Sequence, residues 1–160
     1  MSEFLTHLDE SGNAIMVSVA DKEVTKRTAI ASSILKMKKS TLETITSGSA
    51  KKGDVLAVAR IAGISASKET SRLIPLCHNI VLDKVRIDFE TIDDKEWGKI
   101  KVTATASATG RTGVEMEALT ASAIAALTIY DMCKAIDRAM TIEQTRLDYK
   151  DGGKSGEYKR

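Results

Sequence analysis

Residues 81–110 read VLDKVRIDFETIDDKEWGKIKVTATASATG, and two alternations within this stretch decide the fold. In the first half Val81, Val85, Ile87 and Phe89 are set against Asp83, Lys84, Arg86, Asp88 and Glu90. A period of two is the strand period, and one apolar face opposite one charged face is the pattern of a half-buried strand. In the second half Ile100, Val102, Ala104 and Ala106 recur at the same period. The polar run DDKEWG at 93–98 is the turn between them. The stretch is therefore a β-hairpin with one face turned to a core.

The flanking segments supply what that face packs against. Upstream, AIMVSVA (14–20) is a short strand candidate and TKRTAIASSILKM (25–37) a longer one. Ser40 with Glu43 reads as a capping box for a short helix that stops at Gly48. SAKKGD (49–54) is a turn, with Asp54 as the cap of a helix over 55–72 that ends before Pro75. Downstream, 113–136 is a long helix, 140–150 a final strand, and 151–160 a flexible basic tail. Setting aside the first strand and the short helix, the order is β-α-β-β-α-β. That order predicts an α+β, ferredoxin-like split βαβ fold, an antiparallel sheet with helices packed on one face. With no repeat and no linker, 14–150 reads as one domain after a loose leader over 1–13.

Composition narrows the class. The chain has 160 residues, 42% of them hydrophobic, 29% charged and only 4% aromatic, with a net charge of +2. This is globular composition with a core of small aliphatic residues, for which association is a ready source of extra stability. In the long helix Leu119, Ile124, Leu127, Ile129, Met132 and Cys133 point in nearly all directions. A helix apolar all round needs cover on all sides, and one small sheet cannot provide it, so a second copy is expected. The charge is too weak to argue for nucleic acid. Sheet-based RNA binding would also need exposed aromatics, where only Phe89 and Trp97 are on offer. No apolar run reaches membrane-spanning length. The acidic start has no secretory h-region, and two widely spaced cysteines, Cys77 and Cys133, point to free thiols in the cytoplasm.

Several stretches could carry chemistry. IPLCHN (74–79) concentrates Pro75, Cys77 and His78, residue types the chain otherwise uses sparingly. A metal site lacks a second Cys/His pair, and a Cys77 nucleophile lacks a well-placed base. A core cysteine beside a turn, or a stiffened turn that presents His78 to a ligand, both fit. KKGD (51–54) sets Lys51 and Lys52 before a helix N-terminus, a favourable place for anions. Asp131 and Lys134 share one face of the most apolar helix, either as a routine surface pair or as an acid–base pair. Glu115 and Glu117 open that helix and suit its dipole. Glu117 and Asp131 are separated by about 21 Å of helix rise. Both can serve one reaction only with a long ligand or two subunits. GGKSG (152–156) mimics a phosphate loop but has Asp148 where the first glycine belongs, and no helix follows.

Three segments taken together, KKGDVLAVARIAGISASKETSRLIPLCHNI (51–80), TGVEMEALTASAIAALTIYDMCKAI (112–136) and RLDYKDGGKSG (146–156), resemble the cyclic pyranopterin monophosphate synthases, the molybdenum cofactor biosynthesis protein C family. The resemblance implies a ferredoxin-like subunit in a homohexamer, a trimer of dimers, with sites near a subunit interface. It implies a small-molecule substrate, a cyclised dihydro-GTP that is rearranged to a pyranopterin with a cyclic phosphate and release of pyrophosphate. Catalytic roles then fall on Asp131, Lys52 and Lys134. Substrate contacts fall on Leu76, Cys77, His78, Met116 and Glu117, with Glu115, Lys150 and Arg27 as further site positions. No cofactor is required that the sequence shows; Mg2+ accompanying the triphosphate stays an open alternative. The chain departs from the family pattern at Ser18, where an aspartate is usual, and at Asn79, where a proline is usual. The competing reading, a catalytically inactive oligomeric ligand-binding protein, would leave Asp131, Lys134 and Lys52 free to vary, and all three are present.

Overall fold

The computed structural model describes residues 7–9 and 11–160. Its elements run β1 (Thr25–Met37), α1 (Lys39–Thr46), α2 (Val55–Lys68), the single turn α3 (Thr70–Leu73), β2 (Lys84–Ile92), β3 (Gly98–Gly110), α4 (Glu115–Cys133), β4 (Thr141–Asp151) and β5 (Tyr158–Lys159). The sheet order is β2-β3-β1-β4-β5 and the pairs are antiparallel. With α2 and α4 on one face, this is the expected α+β, ferredoxin-like arrangement.

The centre of the sheet is the β1–β3 pair, in unbroken register from Thr25 opposite Gly110 to Met37 opposite Gly98. The alternation read from the sequence holds: Ile100, Val102, Ala104, Ala106 and Ala108 are buried. Much of the inward face is alanine, and so is the facing side of α4, where Ala118, Ala121, Ala125 and Ala126 are fully buried. Small residues on both sides let the helix axis approach the sheet closely. Gly63 does the same between the two long helices. A Cβ there would lie 2.8 Å from the Ala121 carbonyl oxygen and 3.1 Å from Ala125 Cβ. Ser33 on β1 joins three elements inside this apolar layer. Its hydroxyl donates to Ser122 Oγ of α4 at 3.1 Å and pairs with Thr145 Oγ1 of β4 at 2.9 Å.

β4 follows β1 less regularly. The register shifts between Ile30 and Ala31 and again between Ile34 and Leu35. At the first shift Leu147 pairs with Ala31 and Lys150 with Ala29, so Asp148 is the extra residue of a bulge. Because Ala29 and Ala31 share the helix-side face, the bulge brings Lys150 to that face too. Regular alternation from Leu147 would have turned it away.

Local expectations fared unevenly. Asp54 caps α2 as expected, accepting from Ala57 N at 2.9 Å. Gly48 ends α1 with φ +69°, the left-handed conformation glycine tolerates, while Gly48 N bonds Ile45 O and Ser49 N bonds Thr44 O. Five readings are corrected. Among the described residues, 14–20 form no ladder strand; their one bridge there links Ala14 to Leu8. Ser40 does not cap α1, which begins at Lys39 with Lys38 as N-cap and no side-chain cap of its own. The helix over 55–72 breaks after Lys68 into the turn α3. Val81 lies before β2 and is 87% exposed. The 151–160 segment, expected as a flexible tail, turns at Gly152 and Gly153 and returns as β5 against Tyr149 and Lys150. Of the expected leader over 1–13, residues 1–6 and 10 lie outside the described residues.

Candidate active site

Two groups of candidate side chains form, one at each end of α4. At the N-terminal end two adjoining cavities share Lys22, Thr112, Gly113 and Glu115. The larger, of about 510 Å³, lies between the start of β1, the β3–α4 turn and the Gly152–Ser155 turn. Its walls carry Lys22, Arg27, Arg111, Lys150 and Lys154 against Glu23, Glu115 and Asp151. Arg27 is nearly buried at 8% exposure, its guanidinium donating to the Gly110 and Glu23 carbonyls. Gly153 packs on that guanidinium, where any side chain would collide with it. Lys150 bonds Ser155 Oγ and lies 3.6 Å from the Glu115 carboxylate. A buried, oriented arginine ringed by lysines and hydroxyls is suited to a polyanion such as a triphosphate.

The smaller cavity, of about 350 Å³, is lined by Leu76, Cys77, His78, Ile80, Met116 and Glu117 together with Val17 and Val19. His78 Nε2–H donates to the Val17 carbonyl at 2.8 Å. That bond fixes the proton on Nε2 in the neutral ring and leaves Nδ1 as an acceptor. Residues 14–20 are thus a strap that orients His78. Ser18 itself is exposed, its hydroxyl 3.4 Å from Ala20 N, and Asn79 is exposed too, so neither departure from the family pattern faces this cavity. Glu117 is 3% exposed and its Oε2 has no hydrogen-bond partner among the described residues. Burial, with the nearby Glu115 charge adding to it, pushes its pKa up to about 7 against a bond to its own backbone. Burial and then the Glu117 carboxylate push the Cys77 thiol up as well, which keeps it protonated and unreactive. The cavity pairs apolar walls with one unsatisfied buried carboxyl and one aimed imidazole, a combination suited to a polar heterocycle.

The second group sits at the other end of α4. Lys134 Nζ is 2.7 Å from Asp131 Oδ1, and Lys52 Nζ donates to the Asp131 carbonyl oxygen at 3.3 Å. The Lys134 bond, then the Lys134 and Lys52 charges, hold the Asp131 carboxyl below its usual range, while Asp131 raises Lys134. Both side chains are more than half exposed. They border an open hollow of about 540 Å³ formed by Ile124, Leu127, Thr128 and Tyr130, with Leu127 51% exposed. The helix that looked apolar all round therefore has an uncovered face, and the acid–base cluster borders it.

A family model, that of the MoaC family, matches residues 16–153. The chain belongs to the MoaC family. Curated relatives agree: proteins named cyclic pyranopterin monophosphate synthase 1 from Mycobacterium bovis and from two strains of Mycobacterium tuberculosis are each 58% identical over 156 residues, 98% of this chain and 90% of theirs. Against the MoaC resemblance, the structure gathers Leu76, Cys77, His78, Met116 and Glu117 around one cavity, and Arg27, Glu115 and Lys150 around its neighbour. It does not bring Asp131, Lys134 and Lys52 to either. Sequence reading passed over Lys22, Arg111 and the Val17 carbonyl, and touched Lys154 only within the GGKSG motif. Arg111, alone between a strand end and the GVEME helix start, was the one findable signal.

Proposed function

We propose that the two groups are halves of one composite active site, completed when the uncovered α4 faces of two copies of this chain lie together. The activity is that of a cyclic pyranopterin monophosphate synthase, an early step in molybdenum cofactor biosynthesis. The substrate is a cyclised dihydro-GTP. Its triphosphate occupies the cationic cavity and its purine-derived ring the cavity of His78 and Glu117. Asp131, Lys134 and Lys52 come from the partner copy. A homohexamer built from three such dimers is the assembly this reading expects. The free thiols of Cys77 and Cys133 support placing the reaction in the cytoplasm, and no helix among the described residues is long and apolar enough to cross a membrane.

The observation that carries this reading is the placement of a cation-lined cavity adjoining the cavity of His78 and Glu117 at one end of α4, and of the Asp131–Lys134–Lys52 cluster beside a bare apolar face at the other. In the cyclisation a ribose hydroxyl attacks the α-phosphorus, the bond to the β-phosphate oxygen breaks, and pyrophosphate leaves. Asp131, held ionised by Lys134, accepts the hydroxyl proton. Arg27, Lys150 and their neighbours take up the charge that grows on pyrophosphate, and Lys134 and Lys52 neutralise the transferred phosphoryl group. Glu117 and His78 hold the ring through its N–H and carbonyl edge while protons move during rearrangement.

The test is pyrophosphate release from the cyclised dihydro-GTP by wild type and Asp131→Asn. Release by wild type, with loss of about 100-fold or more in a variant of unchanged assembly, is the expected result. Equal release by both would keep the activity and move the base elsewhere.

A further inference from the structure

Asp137 lies just beyond α4, is 2% exposed, and belongs to neither half of the site. Its Oδ2 accepts from Lys38 N at 2.9 Å and from Thr41 Oγ1 at 3.2 Å, and its Oδ1 accepts from Ala139 N at 3.2 Å. Burial alone would raise this carboxyl, but the bonds from Lys38, Ala139 and Thr41 outweigh it and hold the group ionised. The two bonds to Oδ2 come from the start of α1, the helix whose own N-cap residue supplies no side-chain cap. A carboxylate distant in sequence therefore does the work of the cap.

The connectivity gives this clamp a consequence. α4 carries Asp131 and its C-cap residue is Lys134. The backbone then bends tightly, Asp137 N donating to Cys133 O at 3.1 Å, and delivers the Asp137 carboxylate to α1. α1 ends at Gly48, and the turn that follows carries Lys52, which reaches back to the Asp131 carbonyl. The path from α4 through Asp137, α1 and Lys52 returns to α4. Lys52 itself sits on an exposed turn between α1 and the Asp54-capped start of α2, and among the described residues its one hydrogen bond is long at 3.3 Å, so what holds α1 is one of the two anchors of its placement.

We propose that Asp137 is a positioning residue that sets Lys52 against the Asp131–Lys134 pair by clamping the start of α1 to the end of α4. The proposal deepens the functional reading above and rests on it for its kinetic consequence alone. Asp137→Asn keeps the shape but places an amide N–H against at least one of the donors, so the clamp loosens. Thr41→Val removes one bond and is the milder second variant, available should the first fail to fold.

Both variants are compared with wild type for pyrophosphate release and for acetylation of Lys52 by acetic anhydride, with the neighbouring Lys51 as internal standard. A catalytic group displaced by a fraction of an ångström slows the chemical step more than binding. The expected result for Asp137→Asn is a kcat lowered about tenfold or more with KM within about twofold. Lys52 acetylation should rise toward that of Lys51, and Thr41→Val should move the same way by less. An unchanged kcat in a folded variant overturns the proposal. So does a lower melting temperature with unchanged Lys52 acetylation, which would make Asp137 structural only. Absence of pyrophosphate release from wild type would overturn the functional reading instead, and the acetylation ratio would still decide whether Asp137 places Lys52.

Discussion

Glu117 spends neutral pH divided between its charged and neutral forms, because burial pushes its pKa from 4.5 up to about 7. The consequence for stability has a definite sign. Below the unfolded value both states hold the proton and nothing is lost. As pH rises from the unfolded value to the folded one, the unfolded chain has released a proton that the native state still holds, so stability falls across that window. The loss amounts to about 3 kcal/mol once the pH is above the folded value. Glu117→Gln should match wild type in urea unfolding at pH 4 and exceed it by up to that amount at pH 8. A wild type whose stability is flat between those pH values would show that the carboxyl finds a partner. A partly protonated carboxyl is suited to the ring contact proposed for it: it can donate to a ring acceptor in one form and accept from a ring N–H in the other.

Among the elements, α2 and α4 pack at a close distance that Gly63 sets. The gap at Gly63 is closed by the end of the Ile87 side chain, by a carbonyl of the α4 backbone and by Ala125, and the backbone carbonyl cannot turn aside. Gly63→Val should therefore destabilise by about 2 kcal/mol or more despite a better helix propensity, read as a shift of the urea midpoint at unchanged slope. A neutral result would mean that α2 shifts along α4 freely. Element ends show the opposite, local kind of control. Asp54 caps α2 from within its own sequence, and Asp54→Ala should cost about 1 kcal/mol, checked by the same unfolding curve.

For the whole molecule the decisive question is whether Asp131 and Glu117 of different copies serve one reaction. A two-fold pair carries two equivalent sites, each drawing one half from each copy. Asp131→Asn and Glu117→Arg should each be inactive alone. When the two are unfolded together and refolded, a mixed pair holds one site with both halves intact. Random assortment then restores about a quarter of wild-type pyrophosphate release. No recovery, with mixed assemblies demonstrated by mass, would confine each site to one chain and leave the acid–base cluster without its cavity.

What the sequence determined by itself was whatever depends on neighbours a few residues away. The hairpin around 93–98, the inward row from Ile100 to Ala106, the Asp54 cap and the Gly48 stop are all set by local periodicity or local hydrogen bonds. The candidate residues were legible for a different reason: LCH, GVEME and YDMCKA are compact motifs, and their grouping in a known family carried their roles. Tertiary structure decided the rest, because each undecided feature is a pairing between distant segments. Residues 14–20 have strand composition but find no ladder, and their Val17 carbonyl serves His78 instead. Ser40 and Glu43 look like a cap, yet the Asp137 carboxylate caps that helix from the far side of the chain. Lys150 faces Glu115 only because a bulge at Asp148 shifts its register, and a one-residue shift reverses the face of every side chain beyond it. Backbone groups bond to whichever partner the packed core brings within reach, and that choice is made by the fold as a whole.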